Sequence, residues 1–248
     1  MKALITGATS GIGLSMAKYL EKQNVDLILV GRNKEKLERI ASSFKVETKL
    51  VVLDLNDLKS VKELYVLTKD DDVDILINNA GFGLFGEFAE TDIKTELSMI
   101  DVNIKAVHLL TKLFLKDMVK KNSGYILNVA SAAGFGPGPL MATYYATKSY
   151  VLNLTEAINY ELKKKNSKVQ VSVLCPGPVA TNFNNVAGVK FASRPLTSEY
   201  VSKYAIDKMF KGKAIIIPGL SIKIITFLRR LTPRNLILNI TYNYQRRK

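Results

Sequence analysis

The chain opens with a short apolar strand, a glycine-rich turn and a helix, and this unit restricts the fold more than any other stretch. Lys2–Ile5 forms the apolar run, and a helical pattern covers Leu14–Gln23. Between them, Gly7, Gly11 and Gly13 allow the backbone to turn tightly and to approach a ligand. The exposed N–H groups and the dipole at the start of a helix favour a pyrophosphate. We therefore predict a phosphate-binding turn after the first strand of an α/β fold.

Strands and helices alternate along most of the remaining chain. The predicted strands are Asp26–Val30, Leu50–Leu53, Asp74–Ile77, Tyr125–Ala130 and Val169–Cys175, and the predicted helices are Glu35–Ser43, Leu58–Lys69, most of Thr91–Lys121, and Met141–Lys164. This alternation predicts a doubly wound, Rossmann-like parallel sheet of about seven strands flanked by helices. We expect one domain over residues 1–217. Residues 218–248 are expected to form an amphipathic helical extension rather than a second domain.

The residues that follow the second strand bear on the choice of cofactor. An Asp or Glu at this place binds the ribose 2′-hydroxyl of NAD, whereas an Arg can contact the 2′-phosphate of NADP. The sequence here is Gly31-Arg32-Asn33 and contains no acid. We therefore expect Arg32 to favour NADP(H) over NAD(H). The alternative is that Arg32 is a solvated loop charge.

A second group of polar residues lies in the middle of the chain. Ser131 precedes Tyr144 by thirteen residues, and Lys148 follows Tyr144 by four. On a helix, Tyr144 and Lys148 would share one face, where an ammonium can favour the phenolate of a tyrosine whose ordinary pKa is about 10. The three residues are therefore candidates for an acid–base site. Tyr-x-x-x-Lys alone is also typical of a solvated surface pair.

Composition restricts the class of protein and its location. The 248 residues are 47% hydrophobic and 23% charged, which is typical of a globular domain. Apolar runs extend only a few residues, far below the roughly 20 that span a bilayer, and the amino terminus enters the strand pattern at once. Cys175 is the single cysteine, and no second His or Cys stands at ligand spacing. We expect a cytoplasmic protein that binds no metal.

The net charge of +14 is concentrated at the carboxyl end. Lys208–Lys248 contains ten Lys or Arg and no Asp or Glu, which leaves +4 on the preceding residues. No zinc-finger spacing, RNP motif or basic heptad accompanies these charges, so we expect no nucleic-acid partner. Ser221–Leu231 carries an apolar helical stripe beside basic residues, and Asn235–Lys248 adds a second such segment. The tail can lie on an anionic membrane surface, cap a cleft, or form a subunit interface.

Five motifs occur in an order that resembles the short-chain dehydrogenase/reductase family in its small single-domain form. They are TGATSGIG at residues 6–13, NNAG at residues 78–81, Asn103 within a helix, Ser131 with Tyr144 and Lys148, and PGPVAT at residues 176–181. The resemblance covers about Lys2–Ile217 and implies a dinucleotide-binding, catalytic domain. It implies that Tyr144 is the general acid in carbonyl reduction and that Ser131 orients the substrate oxygen. It also implies that Lys148 lowers the Tyr144 pKa and binds the nicotinamide ribose, and that Asn103 holds a water in a proton relay.

The same resemblance implies a set of cofactor-binding residues. They are Gly7, Thr9, Ser10, Gly11, Ile12 and Gly13 on the pyrophosphate side, Arg32, Asp54 and Leu55 around the adenosine, Asn79, Ala80 and Gly81 along the cofactor, and Tyr144, Lys148, Pro176, Gly177, Val179 and Thr181 at the nicotinamide end. One position departs from the family pattern. Ala130 stands where many relatives have a second Ser before the catalytic one, and we expect little cost from this change.

An apolar substrate is indicated by the side chains near these motifs. They are Phe82, Phe85, Phe88, Phe135, Met141 and, in the loop of residues 182–195, Phe183, Val186, Val189 and Phe191. A hydrophobic ketone agrees best with this set, and some of these residues can instead pack in the core. Reduction of a 3-oxoacyl group on a carrier protein is one alternative, and a non-catalytic, dinucleotide-bound regulatory or scaffold protein is another. We expect a homo-oligomer, a dimer before a tetramer, because the tail can block tetramer contacts.

Overall fold

The computed structural model describes residues 1–183, 187–188 and 195–246. Its strands are β1 (Lys2–Thr6), β2 (Asp26–Gly31), β3 (Thr48–Val52), β4 (Ile75–Asn78), β5 (Tyr125–Val129), β6 (Gln170–Leu174), β7 (Val179–Ala180), β8 (Leu196–Thr197) and β9 (Ile215–Ile216). Seven of them form one sheet in the order β3-β2-β1-β4-β5-β6-β9, and every pairing in it is parallel. β7 and β8 form a separate parallel pair. The predicted Rossmann-like sheet of about seven strands is confirmed.

Most of the helices begin and end within a few residues of the predicted bounds. They are α1 (Gly11–Glu21), α2 (Lys34–Ala41), α3 (Leu58–Thr68), α4 (Ile93–Ile100), α5 (Val107–Lys121), α6 (Ala142–Lys164), α7 (Ser198–Phe210), α8 (Leu220–Leu228) and α9 (Arg234–Gln245). Side-chain caps start α2, α3 and α4, where Asn33, Asp57 and Asp92 each accept a hydrogen bond from a backbone N–H of the first turn. A π-helical segment, Asp101–Ala106, joins α4 to α5.

Helices cover both faces of the sheet, so its central strands are apolar on both sides. All four residues of β4 are buried, as are the last four residues of β1. One face of the sheet packs against α1 and α7, and the other packs against α3 and α5. The polar ligand site is therefore restricted to the edge formed by the carboxyl ends of the strands.

A buried polar network fixes the centre of the sheet below that edge. Asn78 at the end of β4 donates to the Asn128 side-chain oxygen on β5 at 2.8 Å and to the Thr111 hydroxyl on α5 at 3.1 Å. Asn128 in turn donates to the Thr155 hydroxyl on α6 at 3.0 Å. All four residues are almost completely buried. Because buried polar groups are costly when unpaired, this network holds two strands and two helices in one register.

α7 has no counterpart among the predicted elements. Thr197 caps its start by accepting a hydrogen bond from the Tyr200 N–H at 3.2 Å, and Val201, Ala205 and Met209 are buried. These three residues recur at the helical spacing of four, so the sequence contained a usable signal for this helix.

The carboxyl-terminal extension forms two helices. The predicted helix over Ser221–Leu231 is confirmed as α8, and Pro233 immediately precedes α9. In the described part of the chain, no helix has both the length and the apolar composition needed to cross a membrane.

Candidate active site

A cavity of about 1350 Å³ runs along the carboxyl edge of the sheet, from the glycine turn to the carboxyl-terminal helices. Nearly every residue predicted from the motifs lines it. Those residues are Gly7, Thr9, Ser10, Gly11, Ile12, Arg32, Asp54, Leu55, Asn79, Ala80, Gly81, Ser131, Tyr144, Lys148, Pro176, Gly177, Val179 and Thr181. The two other predicted residues, Gly13 and Asn103, lie directly behind the wall. Residues as far apart in the sequence as Gly7 and Thr181 are thus brought to one surface by the topology of the sheet.

The glycine turn between β1 and α1 is held closed by the segment after β4. Gly7 adopts a positive φ of +66°, which glycine tolerates. The Asn79 side chain donates to the carbonyls of Thr6 at 2.9 Å and Gly7 at 3.2 Å. A Cβ on Gly13 would overlap with both the Gly7 carbonyl oxygen and the Asn79 amide nitrogen. Position 13 therefore requires glycine, because the turn after β1, the start of α1 and the Asn79 side chain meet there.

The start of α1 has the features of an anion site. Ser10 precedes the helix in an extended conformation, and both Ser10 and Gly11 line the cavity. The structure describes every residue in the first turn of α1, and none of them is acidic. Because the N–H groups of a helix start carry partial positive charge, a pyrophosphate matches this surface. The tight turn and the partial positive charge at the start of α1 are compatible with the phosphate-binding role predicted for these residues.

Arg32 and Asp54 lie at the far end of this part of the cavity. Arg32 follows β2, and its guanidinium nitrogen is 3.9 Å from a carboxylate oxygen of Asp54, which follows β3. Both side chains are largely exposed, so their attraction is weak. The pair is therefore free to rearrange around a ligand that enters from solvent.

Ser131, Tyr144 and Lys148 come together at the centre of the cavity. Ser131 follows β5, and its hydroxyl lies close enough to the Tyr144 hydroxyl to act on the pKa of that phenol. Lys148, one turn further along α6, has its Nζ 5.8 Å from the centre of the Tyr144 ring. Lys148 Nζ also donates to the Val129 carbonyl at 3.0 Å. Tyr144 and Lys148 are buried side chains of one helix face and not a solvated surface pair.

Burial controls the pKa values of these two groups. It raises the pKa of the Tyr144 hydroxyl well above its ordinary value, although the hydrogen bond from Ser131 lowers it. Burial also lowers the pKa of the Lys148 ammonium to about 8. The expected net lowering of the Tyr144 pKa by Lys148 is therefore not found. Desolvation of the phenolate is the largest influence on the Tyr144 pKa.

Asn103 acts on the cavity wall from behind. It lies in the π-helical segment and is completely buried. Its side-chain oxygen accepts from the Phe82 N–H at 3.1 Å, while its nitrogen donates to the Phe82 carbonyl at 2.9 Å and to the Thr147 hydroxyl at 3.1 Å. π-helical turns are frequent at functional sites because they re-aim a side chain. Here the turn directs Asn103 to fix the wall residue Phe82 beside α6.

The predicted apolar residues divide into two groups. Phe82, Met141 and Phe183 line the cavity, and Phe85 packs against the cluster that contains Met141 and Tyr144. The prediction for Phe88 is wrong, because its side chain is 68% exposed, and the prediction for Phe135 is wrong, because it packs with Val151 and Cys175 behind the cavity. Val186, Val189 and Phe191 lie outside the described residues.

The carboxyl-terminal helices supply lining residues that motif reasoning did not name. Ile222 and Ile225 from α8 and Ile237 and Ile240 from α9 form part of the cavity wall. A Cβ on Gly177 would be 2.7 Å from the Ile222 side chain, so α8 sits tightly on the segment after β6. Of the three alternatives for the tail, these contacts correspond to the cap over the cleft. Of the predicted apolar stripe, Ile224, Phe227, Leu228 and Leu231, only Leu228 lines the cavity, so the stripe did not indicate this contact.

Comparison with known proteins decides the family. A family model for short chain dehydrogenases matches residues 1–190. The chain belongs to the short-chain dehydrogenase family. This dehydrogenase is 34% identical over 194 residues to an uncharacterized oxidoreductase of Staphylococcus epidermidis, covering 77% of this chain and 83% of that protein. It is also 34% identical over 209 residues to a very-long-chain 3-oxoacyl-CoA reductase of Anas platyrhynchos, covering 80% of this chain and 66% of the other.

Solved structures extend the similarity to the whole fold of the dehydrogenase. A short-chain dehydrogenase from Sphingobium yanoikuyae in complex with NADPH superimposes with a TM-score of 0.82 at 28% sequence identity, covering 88% of each chain. The present chain is thus an oxidoreductase with a fold that binds a nicotinamide dinucleotide. Its own residues agree with such a cofactor, since Gly13 has no room for a Cβ at the turn and the start of α1 lines the cavity.

Proposed function

We propose that this chain is an NADP(H)-dependent oxidoreductase that transfers a hydride between the nicotinamide and the carbon of an apolar carbonyl compound or alcohol. One observation carries the proposal: Ser131, Tyr144 and Lys148 lie on the wall of the same cavity that the glycine turn lines. When bound, the cofactor supplies or accepts the hydride. The glycine turn and the start of α1 would hold its phosphates, and Lys148 would contact the ribose next to the nicotinamide.

The protein groups act on the developing charge of the carbonyl oxygen. Hydride addition to the carbon makes this oxygen negative, so it requires a hydrogen-bond donor and a proton source. Because burial raises the Tyr144 pKa, the phenol stays protonated at neutral pH and can give its proton to that oxygen. Ser131, whose hydroxyl lies near the Tyr144 hydroxyl, would orient the same atom. Asn103 supports the arrangement through Phe82 and Thr147, and the predicted water relay is retained as a proposal.

Preference for NADP(H) is proposed from the adenosine end of the cavity. Arg32 lines the cavity and has only a weak, solvent-exposed interaction with Asp54. A 2′-phosphate would give Arg32 a stronger partner, because a guanidinium can donate two hydrogen bonds to one phosphate. In the same place, no acidic side chain follows β2 directly to accept a ribose 2′-hydroxyl.

Replacing Arg32 by Ser should raise the KM for NADPH by about tenfold to a hundredfold, which is the loss of one charge-assisted interaction. The KM for NADH should change little, since NADH has no 2′-phosphate. Steady-state kinetics with both cofactors measures this. Arg39→Ser is the matched control, because Arg39 is an exposed arginine of α2 away from the cavity. An equal effect of Arg32→Ser on both cofactors would contradict the proposed role.

A second candidate substrate class is the 3-oxoacyl thioester. The duck relative bears the name of a 3-oxoacyl-CoA reductase, and the apolar wall of the present cavity suits an acyl chain. A basic surface would also help to dock an acidic carrier protein. A screen of NADPH oxidation with aliphatic, aromatic and steroid ketones and with acyl-CoA and acyl-carrier-protein thioesters distinguishes these classes. A non-catalytic binder is disfavoured, since it does not need Ser131, Tyr144 and Lys148 at one point.

We also propose that the cytoplasmic enzyme contacts anionic membranes through the outer surface of α8 and α9. Phe227 is 61% exposed and Leu231 is 72% exposed, and they are flanked by basic and not by acidic residues. A second copy of the chain is disfavoured at this surface, because self-association would bring two cationic faces together. The homo-oligomer, preferably a dimer, would then form through other surfaces.

Sedimentation with vesicles of phosphatidylserine and phosphatidylcholine at low salt should remove the protein from the supernatant. Phosphatidylcholine alone should not, since the basic residues add attraction only to anionic lipid. Phe227→Ser combined with Leu231→Ser should weaken binding, whereas Phe88→Ser removes an exposed Phe of another surface and should not. Failure to bind anionic vesicles at low salt would contradict the membrane contact. Loss of dimers in the double variant would assign the surface to a subunit interface.

A further inference from the structure

A polar cluster lies in the part of the cavity that the carboxyl-terminal helices close. Tyr145, the residue after the proposed acid, forms its centre on α6, and its hydroxyl accepts a hydrogen bond from the Gln245 amide of α9 at 2.6 Å. Arg229, directly after α8, donates to the Thr241 hydroxyl at 3.3 Å and lies near the Tyr145 hydroxyl. All four side chains belong to residues that line the cavity. This cluster has no assigned task in hydride transfer.

Arg229 is a half-buried cation that forms no ion pair with any described residue. The side chains from Lys208 to Lys248 include no Asp or Glu. A guanidinium has five N–H donors, and the bond to Thr241 leaves others for a ligand. Removing a cation from water is costly unless an anion compensates it. Arg229 is therefore suited to an oxyanion that enters the cavity.

Gln245 provides a second and independent observation. Its side chain is completely buried, and its oxygen has no hydrogen-bond partner among the described residues. Buried amide oxygens without a donor are rare in folded proteins. An N–H or O–H group of a ligand would satisfy this oxygen. Beside Tyr145, Arg229 thus offers hydrogen-bond donors to a ligand, and the Gln245 oxygen offers an acceptor.

The cluster lies on the substrate side of the cavity. The Arg229 guanidinium is 3.7 Å from the position that a Cβ on Gly136 would occupy, in the loop between Ser131 and Tyr144. The Tyr145 ring centre is 6.2 Å from the Tyr144 ring centre. Apolar side chains of α8 and α9, Ile225 and Ile237 among them, line the surrounding wall. A molecule with an apolar body can therefore reach both the proposed acid and the cluster.

We infer that this cluster is a subsite for a carboxylate on the substrate, remote from the carbonyl that is reduced. Arg229 and the Tyr145 hydroxyl donate to the carboxylate, and Gln245 accepts from a neighbouring hydroxyl or amide N–H. The substrate class becomes apolar oxo acids rather than neutral ketones. This inference rests on the proposed reductase function and names the substrate of the same site.

The test compares straight-chain oxo acids of increasing length, each with its methyl ester, in the full-length protein. Isothermal titration calorimetry of the Tyr144→Phe variant, with NADPH present, measures binding of each compound without turnover. Steady-state kinetics of the wild type measures KM and kcat. At least one acid should bind about tenfold to a hundredfold more tightly than its ester, as expected for a charge-assisted hydrogen bond. Arg229→Gln should remove this preference and leave the ester unchanged. Arg230→Gln is the charge-matched control, since the exposed Arg230 does not line this cavity.

The possible outcomes separate the subsite from the proposed reaction. Preferential binding of an acid that Arg229→Gln abolishes supports the subsite even if no compound is reduced, and in that case the reductase proposal fails alone. Equal binding of every acid and its ester overturns the subsite, while reduction of the esters leaves the reductase in place. A weaker affinity of Arg229→Gln for NADPH, with acid binding unchanged, would also overturn it by assigning Arg229 to the cofactor. Circular dichroism of each variant confirms that it is folded.

Discussion

Replacing Tyr144 by Phe is expected to reduce turnover by about a hundredfold to ten-thousandfold, the usual contribution of a positioned general acid. The substitution removes one hydroxyl from a ring that is 8% exposed, so the packing around it is kept. What is lost is the proton that the carbonyl oxygen requires as hydride arrives. Ser131 can still donate a hydrogen bond, but it cannot replace a proton source. Initial rates of NADPH oxidation with the best ketone of the screen measure the effect.

The affinity for NADPH shows whether Tyr144→Phe acts on the chemical step or on the structure of the site. The dissociation constant for NADPH should remain within a few-fold of the wild type, because the proposed phosphate contacts lie at the glycine turn and at Arg32. Tyr150→Phe is the matched control, since Tyr150 is an exposed tyrosine of the same helix whose hydroxyl is 2.7 Å from His108 Nδ1. It should retain full turnover. If Tyr144→Phe turned over ketone at the wild-type rate, the proposed acid would be wrong.

The sheet and the cofactor side of the cavity were predictable because their signals are local. A buried parallel strand is a continuous apolar run, and β4 carries this pattern before the residues Asn79–Gly81 that close the turn. Likewise, the glycine turn, NNAG, Ser131 and PGPVAT each lie at or just after the end of a strand, and the carboxyl ends of parallel strands meet at one edge. Spacing within the motifs then determines which side chains share a surface. Helical spacing in this way paired Tyr144 with Lys148, whereas the joint role of Ser131 and Tyr144 came from the family resemblance.

Interactions between distant segments were not predictable in this way. Gln245 and Tyr145 are 100 residues apart, and nothing in either local sequence indicates their hydrogen bond. The apolar stripe of α8 predicted an apolar contact, but the pattern alone does not distinguish a membrane, a partner subunit and the cleft. Phe88 and Phe135 were misplaced for the same reason, since hydrophobicity does not reveal which of two apolar surfaces a side chain joins.

The energetics of the Tyr144–Lys148 pair depend on burial, which spacing alone does not give. Four-residue spacing indicates proximity, and proximity to a cation lowers a tyrosine pKa in water-exposed surroundings. Both groups are buried, however, and desolvation acts against the charged form of each, raising one pKa and lowering the other. Tyr144 is therefore a neutral phenol at neutral pH, and it carries the proton that reduction consumes.

Replacing Gly13 by Ala should cut NADPH affinity by about a hundredfold or more, through loss of several hydrogen bonds to the pyrophosphate. Helix propensity alone predicts the opposite sign for stability, since Ala is favoured over Gly in a helix by about 1 kcal/mol. The added Cβ would, however, overlap with the Gly7 carbonyl oxygen, which belongs to the backbone and cannot rotate away. Overpacking of this kind costs about 1–3 kcal/mol, so the contact should outweigh the propensity.

Calorimetric titration with NADPH and urea unfolding measure the two effects of Gly13→Ala separately. Gly136→Ala is the matched control, because its Cβ would meet only the Arg229 guanidinium at an ordinary contact distance of 3.7 Å. This control should keep both NADPH affinity and stability. Greater stability of Gly13→Ala with unchanged NADPH affinity would mean that the turn can open without cost. The close approach of β1, α1 and the Asn79 segment would then not be what shapes the phosphate site.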